Sequence, residues 1–393
     1  MTLSVVHVWQ GAYPWEVRVG KLNRALLAAG GKVTVVARAR GDEPAEEIID
    51  GVRIIRVGAG LPSVASLPVP GNMLWVAAIR KAIRQSGASV LLVRDIPLAL
   101  PGAMAAMATG ARLVLDMAEH YPAAMRSWKK YSENPVLRFL VHDLRLPDAV
   151  ERRALKAADG IIVVCDEMKA RLEALGVDGG RIVVVRNTPE LPLPQAGVRR
   201  HPWADGTFVF GYHGILCADR RLDAVMEGFA MALREEPGLR LLLAGGGEVE
   251  EDLRALAHRL SLGDAVTFTG RYSPESLPGL YAAADAGIVS LEDNEFTRHT
   301  LANKFFDYAA RGMPFLYSDL PPLARLMSDM KCALSFTPQS PRDIATAMVR
   351  LARMAKEDGV AFEAMGERGR RRVEEAYNWE SDGRSAVEFL SRS

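Results

Sequence analysis

Residues 3–38 read LSVVHVWQGAYPWEVRVGKLNRALLAAGGKVTVVAR. An apolar run opens this stretch, and a loop containing Gly11 and Pro14 follows. Val17 to Ala29 is amphipathic, Gly30-Gly31 stops it, and KVTVVAR is a second apolar run. Strand, helix and strand in this order make a crossover unit, which lays the two strands side by side in parallel. Further apolar runs continue the pattern: VRIIRV at 52–57, VLLVRD at 90–95, RLVLDM at 112–117, GIIVVCD at 160–166 and RIVVVRN at 181–187. Helical patterns separate several of them, so the fold class is α/β with a doubly wound parallel sheet.

A break comes at TPELPLPQAGVRRHPWADG, 188–206, where Pro, Gly and polar residues crowd together. The same grammar then restarts with TFVFGYHG, LRLLLAGGG, AVTFTG, AGIVSL and PFLYSD as strands, and ends in a terminal helical stretch. At 393 residues the chain exceeds one ordinary core. The expected division is a Rossmann-like domain over 1–192, to which 377–393 returns, and a second over 193–376, the two facing a central cleft.

Composition is that of a globular protein, with 49% hydrophobic and 25% charged residues. A net charge of +1 gives no bulk attraction to nucleic acid. Cys165, Cys217 and Cys332 form no CxxC pair, which argues against a metal cluster and fits a reducing compartment. The opening MTLSVVHVWQGAYPW lacks the basic lead of a secretory signal. The uncharged run 57–79 is interrupted by Pro62, Pro68 and Pro70 and reads as loop followed by helix, not as a membrane span. The expectation is a cytoplasmic protein.

In open α/β sheets ligands sit at the carboxyl ends of the strands, so the loops there are the ones to inspect. FGYHGILCADRRLDAV places Gly211 and Gly214 around a strand end and Arg220-Arg221 at the next helix. A guanidinium with backbone N–H groups suits a diphosphate; the same pair also reads as a solvated helix start. LLLAGGGEVEEDL places Gly245, Gly246 and Gly247 after a strand, for close approach of a ligand or for a plain tight turn. In LANKFFDYAARGMP, 301–314, Asn303 and Asp307 share a helix face. Asp307 offers a carboxylate for ribose hydroxyls, or a partner four residues from Arg311. Lys304 and the free N–H groups of that helix favour phosphate. In the first half, DMAEHYPAAM puts Asp116, Glu119 and His120 at a strand end, where a His can bond a sugar hydroxyl or move a proton. Glu16 and Arg18 of PWEVRVGKL join the same rim or are an ordinary charged helix start.

Taken in order, these stretches resemble the family 4 retaining glycosyltransferases of GT-B architecture, over nearly the whole chain. The resemblance is carried by the 14–57 stretch, by ERRALKAADGIIVVCDEMKARLEALGVDGGRIVVVRNTPE ending near Asn187, by LLLAGGGEVEEDLRALAHRLSLGDAVTFTGRYSPESLPGLYAAADAGIVSL and by YNWE at 377–380. It implies transfer from a nucleoside diphosphate sugar with retention, without a metal or other cofactor. It puts Arg220, Lys304 and His120 in catalytic positions. Gly214, Arg220, Gly245, Gly246, Asn303, Lys304 and Asp307 fall to the donor, and Glu16, Arg18, Glu119 and His120 to the acceptor side. The family's acidic motif has two Glu eight residues apart; here the second is Asp307, and His299 stands at the first position, with Glu295 nearby.

The implied acceptor is a glycan or a lipid-diphosphate-linked glycan of a bacterial surface polysaccharide. RSWKKYSENPVLRFLVHDLR, 126–145, carries five Arg/Lys against two acids among Trp128, Tyr131 and Phe139. It reads either as a membrane-surface contact that makes the enzyme peripheral or as a solvated helical face. Two alternatives keep the nucleotide sugar but drop the transfer: a GT-B sugar-nucleotide epimerase, or a non-catalytic binding subunit.

Overall fold

A run such as Val5-Val6-His7-Val8 has no solvated face and needs cover on both sides. In the computed structural model, which describes residues 2–193 and 202–392, runs of this kind become two separate sheets. The chain forms two compact units, Met1–Asn187 with Glu380–Ser393, and Thr188–Trp379.

Unit 1 contains β1 (Ser4–Val8), β2 (Lys32–Arg38), β3 (Glu46–Ile49), β4 (Val52–Val57), β5 (Val90–Arg94), β6 (Arg112–Met117), β7 (Gly160–Val163) and β8 (Ile182–Val184). Their order is β3-β4-β2-β1-β5-β6-β7-β8. All neighbours run parallel except β3, which pairs antiparallel with β4 at the edge. The strand order reverses between β1 and β5. The helix Trp379–Leu390 packs onto this unit. Its Phe389 ring lies against Gly160, and the Arg112 guanidinium donates to the carbonyls of Phe389, Leu390 and Arg392 at 3.1, 3.3 and 3.0 Å.

Unit 2 contains β9 (Phe208–His213), β10 (Leu239–Ala244), β11 (Val266–Gly270), β12 (Ala286–Val289), β13 (Phe315–Ser318) and β14 (Ala333–Phe336). Their order is β11-β10-β9-β12-β13-β14, all parallel, so the reversal falls between β9 and β12. Phe208, Phe210, Phe229, Leu241 and Met348 fill the core on one face of this sheet, and Phe305, Tyr308, Phe315 and Leu323 that on the other. β3, β14 and the helices Pro341–Glu357 and Gly359–Glu375 were not anticipated from the sequence.

The division lies a few residues from the expected 192/193 and 376/377. Pro189 and Leu193 belong with unit 2 because Trp379 N–H donates to the Pro189 carbonyl at 2.7 Å and Leu193 is buried in the Phe305 core. The rest of the expected linker, 194–201, lies outside the described residues.

The helix Asn303–Ala310 is seated by one missing side chain. Gly287 in β12 lies under the Tyr308 ring, and a Cβ added there would meet ring carbons at 2.6 Å. Tyr308 is fully buried and cannot swing aside. Gly287→Ala is therefore expected to cost about 1–3 kcal/mol by overpacking. Thermal unfolding checks it, and an unchanged melting temperature would show that this helix is seated otherwise.

Candidate active site

In unit 2 the reversal between β9 and β12 opens a crevice at the carboxyl ends of the strands, as strand order requires. A cavity of about 740 Å³ lies there. Its walls come from the ends of β9 (Tyr212, His213, Gly214), β10 (Gly245, Gly246, Gly247), β11 (Arg271, Tyr272) and β12 (Ser290, Leu291), with Arg220, Asn303 and Lys304. Arg220, Lys304, Asn303, Gly214, Gly245 and Gly246, remote in sequence, thus share one cavity.

The two arginines of the Gly211–Arg221 segment separate cleanly. Arg220 lines the cavity beside Tyr212. Arg221 turns away, holding Asp223 at 2.8 and 3.0 Å and lying 3.7 Å from Glu292. The glycines have a different local reason from the expected one. A Cβ on Gly245 would overlap the Gly214 carbonyl oxygen, and one on Gly247 would overlap that of Leu216. The φ values of Gly245 and Gly214, +142° and +155°, are also ones that side chains disfavour. Close approach of two loops, the floor of the cavity, needs these glycines before any ligand arrives.

At the helix Asn303–Ala310 the N-cap residue Ala302 supplies no side-chain cap, so the first-turn N–H groups keep their partial positive charge for the cavity. Lys304 adds a full charge. Asp307 does not line the cavity, contrary to its expected place against the donor. Its carboxylate accepts from Lys304 Nζ at 3.2 Å and from the Tyr281 hydroxyl at 3.3 Å. Asp307, one helical turn after Asn303 and about a third exposed, thus pairs with the lysine beside the cavity. Arg311, its other expected partner, donates to the Asp307 carbonyl and lies over the Tyr281 ring at 3.9 Å.

His213 stacks on Tyr281 with centroids 4.4 Å apart. Burial pushes its imidazole down to about 4, so at neutral pH it is an uncharged wall residue. Neither it nor Arg271 and Tyr272 were singled out from the sequence. The signal was present for the latter pair, because TGRYS follows a strand directly.

In unit 1 the reversal between β1 and β5 gathers a charged cluster. Arg18 is 2% exposed and grips Asp116 with Nε at 3.1 and 3.0 Å and Nη2 at 2.7 Å. Burial alone would raise the Asp116 carboxyl, but Arg18 and Arg94 outweigh it and hold it below its ordinary value. Arg94 reaches Glu16 at 3.3 Å and Asp116 at 3.5 Å. Glu16 also caps the helix Val17–Ala28 by accepting from Val19 N–H. Arg18 is therefore an interior group and not the rim residue expected. His120 is likewise fully buried, which removes it from direct contact with solvent or a solvent-borne substrate. Glu16 and Glu119 remain half-buried at the edge. Arg94, Asp95 and His7 belong to this cluster and were missed, since an apolar strand context hides its last polar residues.

Known proteins share this arrangement. Residues 15–188 match the glycosyl transferase 4-like domain and residues 207–354 the glycosyl transferases group 1 domain. The chain is 32% identical over 111 residues to alpha-monoglucosyldiacylglycerol synthase of Streptococcus pneumoniae, covering 28% of this chain and 24% of that one. It is 26% identical over 170 residues to a GDP-mannose-dependent alpha-(1-6)-phosphatidylinositol monomannoside mannosyltransferase of Mycobacterium tuberculosis, covering 43% of each. The matched stretches thus span less than half the length of these relatives. In fold, the chain is similar to sucrose-phosphate synthase of Thermosynechococcus elongatus, with TM-score 0.74, 20% identity and 97% and 96% of the two chains covered. Anabaena HepE in complex with UDP and glucose gives TM-score 0.72 at 14% identity over 100% of both chains. With both domain models matched in order on two parallel-sheet units, the chain belongs to the family 4 glycosyltransferases of the GT-B fold.

Proposed function

We propose that this glycosyltransferase moves a sugar from a nucleoside diphosphate sugar, with retention at the anomeric carbon, to a glycan or lipid-linked acceptor of a bacterial surface polysaccharide. The observation that carries the reading is the convergence of Arg220, Lys304 and an uncapped helix N-terminus on one cavity. As the glycosidic bond breaks, negative charge leaves onto the diphosphate. Fixed cations and N–H dipoles stabilise that charge more than they stabilise the bound donor, which is what accelerates the step. Arg220 offers paired donors to phosphate oxygens, and Lys304, held by Asp307, offers a point charge. Arg271 and Tyr272 supply a planar cation and a ring as a wall for the base. The HepE complexes with UDP support a donor of this class on the same fold.

The relatives' names, an alpha-monoglucosyldiacylglycerol synthase and a phosphatidylinositol monomannoside mannosyltransferase, favour a lipid-linked acceptor. The 126–145 segment supports a peripheral attachment that keeps the enzyme at such an acceptor. Lys130 lies 4.8 Å from the rings of both Trp128 and Tyr131. Val136, Phe139 and Leu144 are 66%, 52% and 57% exposed, so apolar side chains and cations share one surface segment.

Two measurements test these readings. Arg220→Ala is expected to weaken UDP or GDP binding by about 1.5–3 kcal/mol, roughly 10- to 150-fold in Kd. Calorimetric titration that finds both affinities unchanged would refute the donor assignment. Phe139→Glu with Val136→Glu is expected to abolish co-sedimentation with anionic vesicles while donor turnover in solution persists. Sedimentation equal to that of the parent chain would sink the membrane contact.

A further inference from the structure

The helix Ala99–Met107, sequence ALPGAMAAM, contains no polar side chain. A helix that is apolar all round is expected to be covered all round. One side is covered: Gly102 lies so close to β5 that a Cβ there would meet the Val93 side chain at 2.7 Å, and Ala99, Ala105 and Ala106 are buried with it. The other side carries Leu100, Ala103, Met104 and Met107 at the i, i+3, i+4, i+7 spacing of one stripe. It stays open, with Met104 42% and Met107 87% exposed. This stripe is the floor of a groove of about 1100 Å³, larger than the donor cavity. Pro70 and Phe389 also line the groove, and all of these residues belong to unit 1.

Past Met107, where β6, β7 and β8 begin, the lining turns cationic with Arg112, Arg181 and Arg392. Arg112 donates to carbonyls of the terminal helix and Arg181 to those of Ala158 and Leu155, so both bond neutral groups and keep their charge. Arg392 lies over the Phe389 ring at 5.3 Å. Asp159, the acid among the described lining residues, is exposed and accepts from Leu113 N–H at 2.7 Å. Burial pulls the Arg112 guanidinium below its ordinary value; Asp159 opposes the shift and Arg392 adds to it. Arg112 and Arg392 thus repel each other, and an anion beside both relieves the repulsion. Beyond Pro70 the surface continues apolar: residues 57–79 carry no charge, and Leu61, Val64, Leu67, Val69 and Met73 are exposed.

We propose that this groove seats one acyl chain of an anionic phospholipid along the helix Ala99–Met107, with the lipid phosphate held by Arg112, Arg181 and Arg392. The proposal goes beyond the transfer reaction and does not rest on it. Charge complementarity selects an anionic head, for which guanidinium groups supply paired donors. Methionine side chains, unbranched and flexible, conform to a chain that has no fixed shape of its own. A bilayer lipid fits better than a free fatty acid, because the groove adjoins an uncharged surface of exposed apolar side chains. Such a surface lies at the acyl boundary of a membrane and lets a chain enter without crossing water. The site is distinct from the 126–145 segment, which follows the carboxyl end of β6, whereas the arginines stand at the amino ends of the strands.

The test is photolabelling of the full chain on anionic vesicles that contain a trace of phosphatidylglycerol with a diazirine in its acyl chain. Label is expected in the tryptic peptide 95–112, which carries the groove floor. Phosphatidylcholine with the same diazirine, in the same vesicles, should label that peptide roughly tenfold less. Met107→Glu puts a carboxylate in the floor and Arg392→Glu reverses a rim charge; each should lower the label roughly tenfold as well. Both side chains are exposed, so melting temperature and UDP affinity should match those of the parent chain. Equal labelling by the two lipids, stronger labelling by a diazirine palmitic acid, label confined to 126–145, or a variant labelled like the parent would each overturn the proposal. So would an unlabelled peptide, whether the chain stays single or shows a doubled mass in sedimentation equilibrium because a second copy covers this face. Should a variant unfold, the ratio between the two lipids on the parent chain decides.

Discussion

Burial of both faces of two parallel sheets is the constraint from which the other features follow. Helices cover the central strands of each sheet on either side, so polar groups of those strands reach solvent at the strand ends. Strand order reverses once per sheet, between β1 and β5 in unit 1 and between β9 and β12 in unit 2, and the second reversal holds the cavity.

The two reversals gather different electrostatics. That of unit 2 concentrates positive charge: Arg220 and Lys304 line its cavity, and the helix Asn303–Ala310 adds its N-terminal dipole. Asp307 is not among the lining residues and pairs with Lys304 at 3.2 Å. The reversal in unit 1 instead buries an ion-paired cluster, in which Arg18 and Arg94 meet Asp116 and Asp95. Arg18 and Asp116 are almost wholly removed from water, an arrangement tolerable because the contact is bidentate and Arg94 brings a second cation to Asp116 at 3.5 Å.

Glycine is a local instance of the same economy of space. Gly245 and Gly247 let the β10 loop press against the β9 loop, and Gly287 admits the Tyr308 ring of the helix Asn303–Ala310. The first of these contacts shapes the cavity floor. A Gly-rich turn at a strand end therefore has a packing explanation that comes before any phosphate.

The sequence by itself determined the fold class, the two-unit division to within a few residues, and the loops in which a site had to lie. Period-2 and period-3.6 patterns and the carboxyl-end rule are local properties, legible one stretch at a time. It also singled out Arg220, Lys304 and Asn303 by residue type and position. Only the tertiary structure decided which side chains share a wall. It separated Arg220 from Arg221, paired Asp307 with Lys304, buried Arg18, His120 and Asp95, and brought Arg271 and Tyr272 to the unit 2 cavity. These outcomes depend on strands far apart in the chain ending at one level, and on which carboxylate each guanidinium finds there. Such pairing is a property of three-dimensional neighbours, and no single stretch of sequence encodes it.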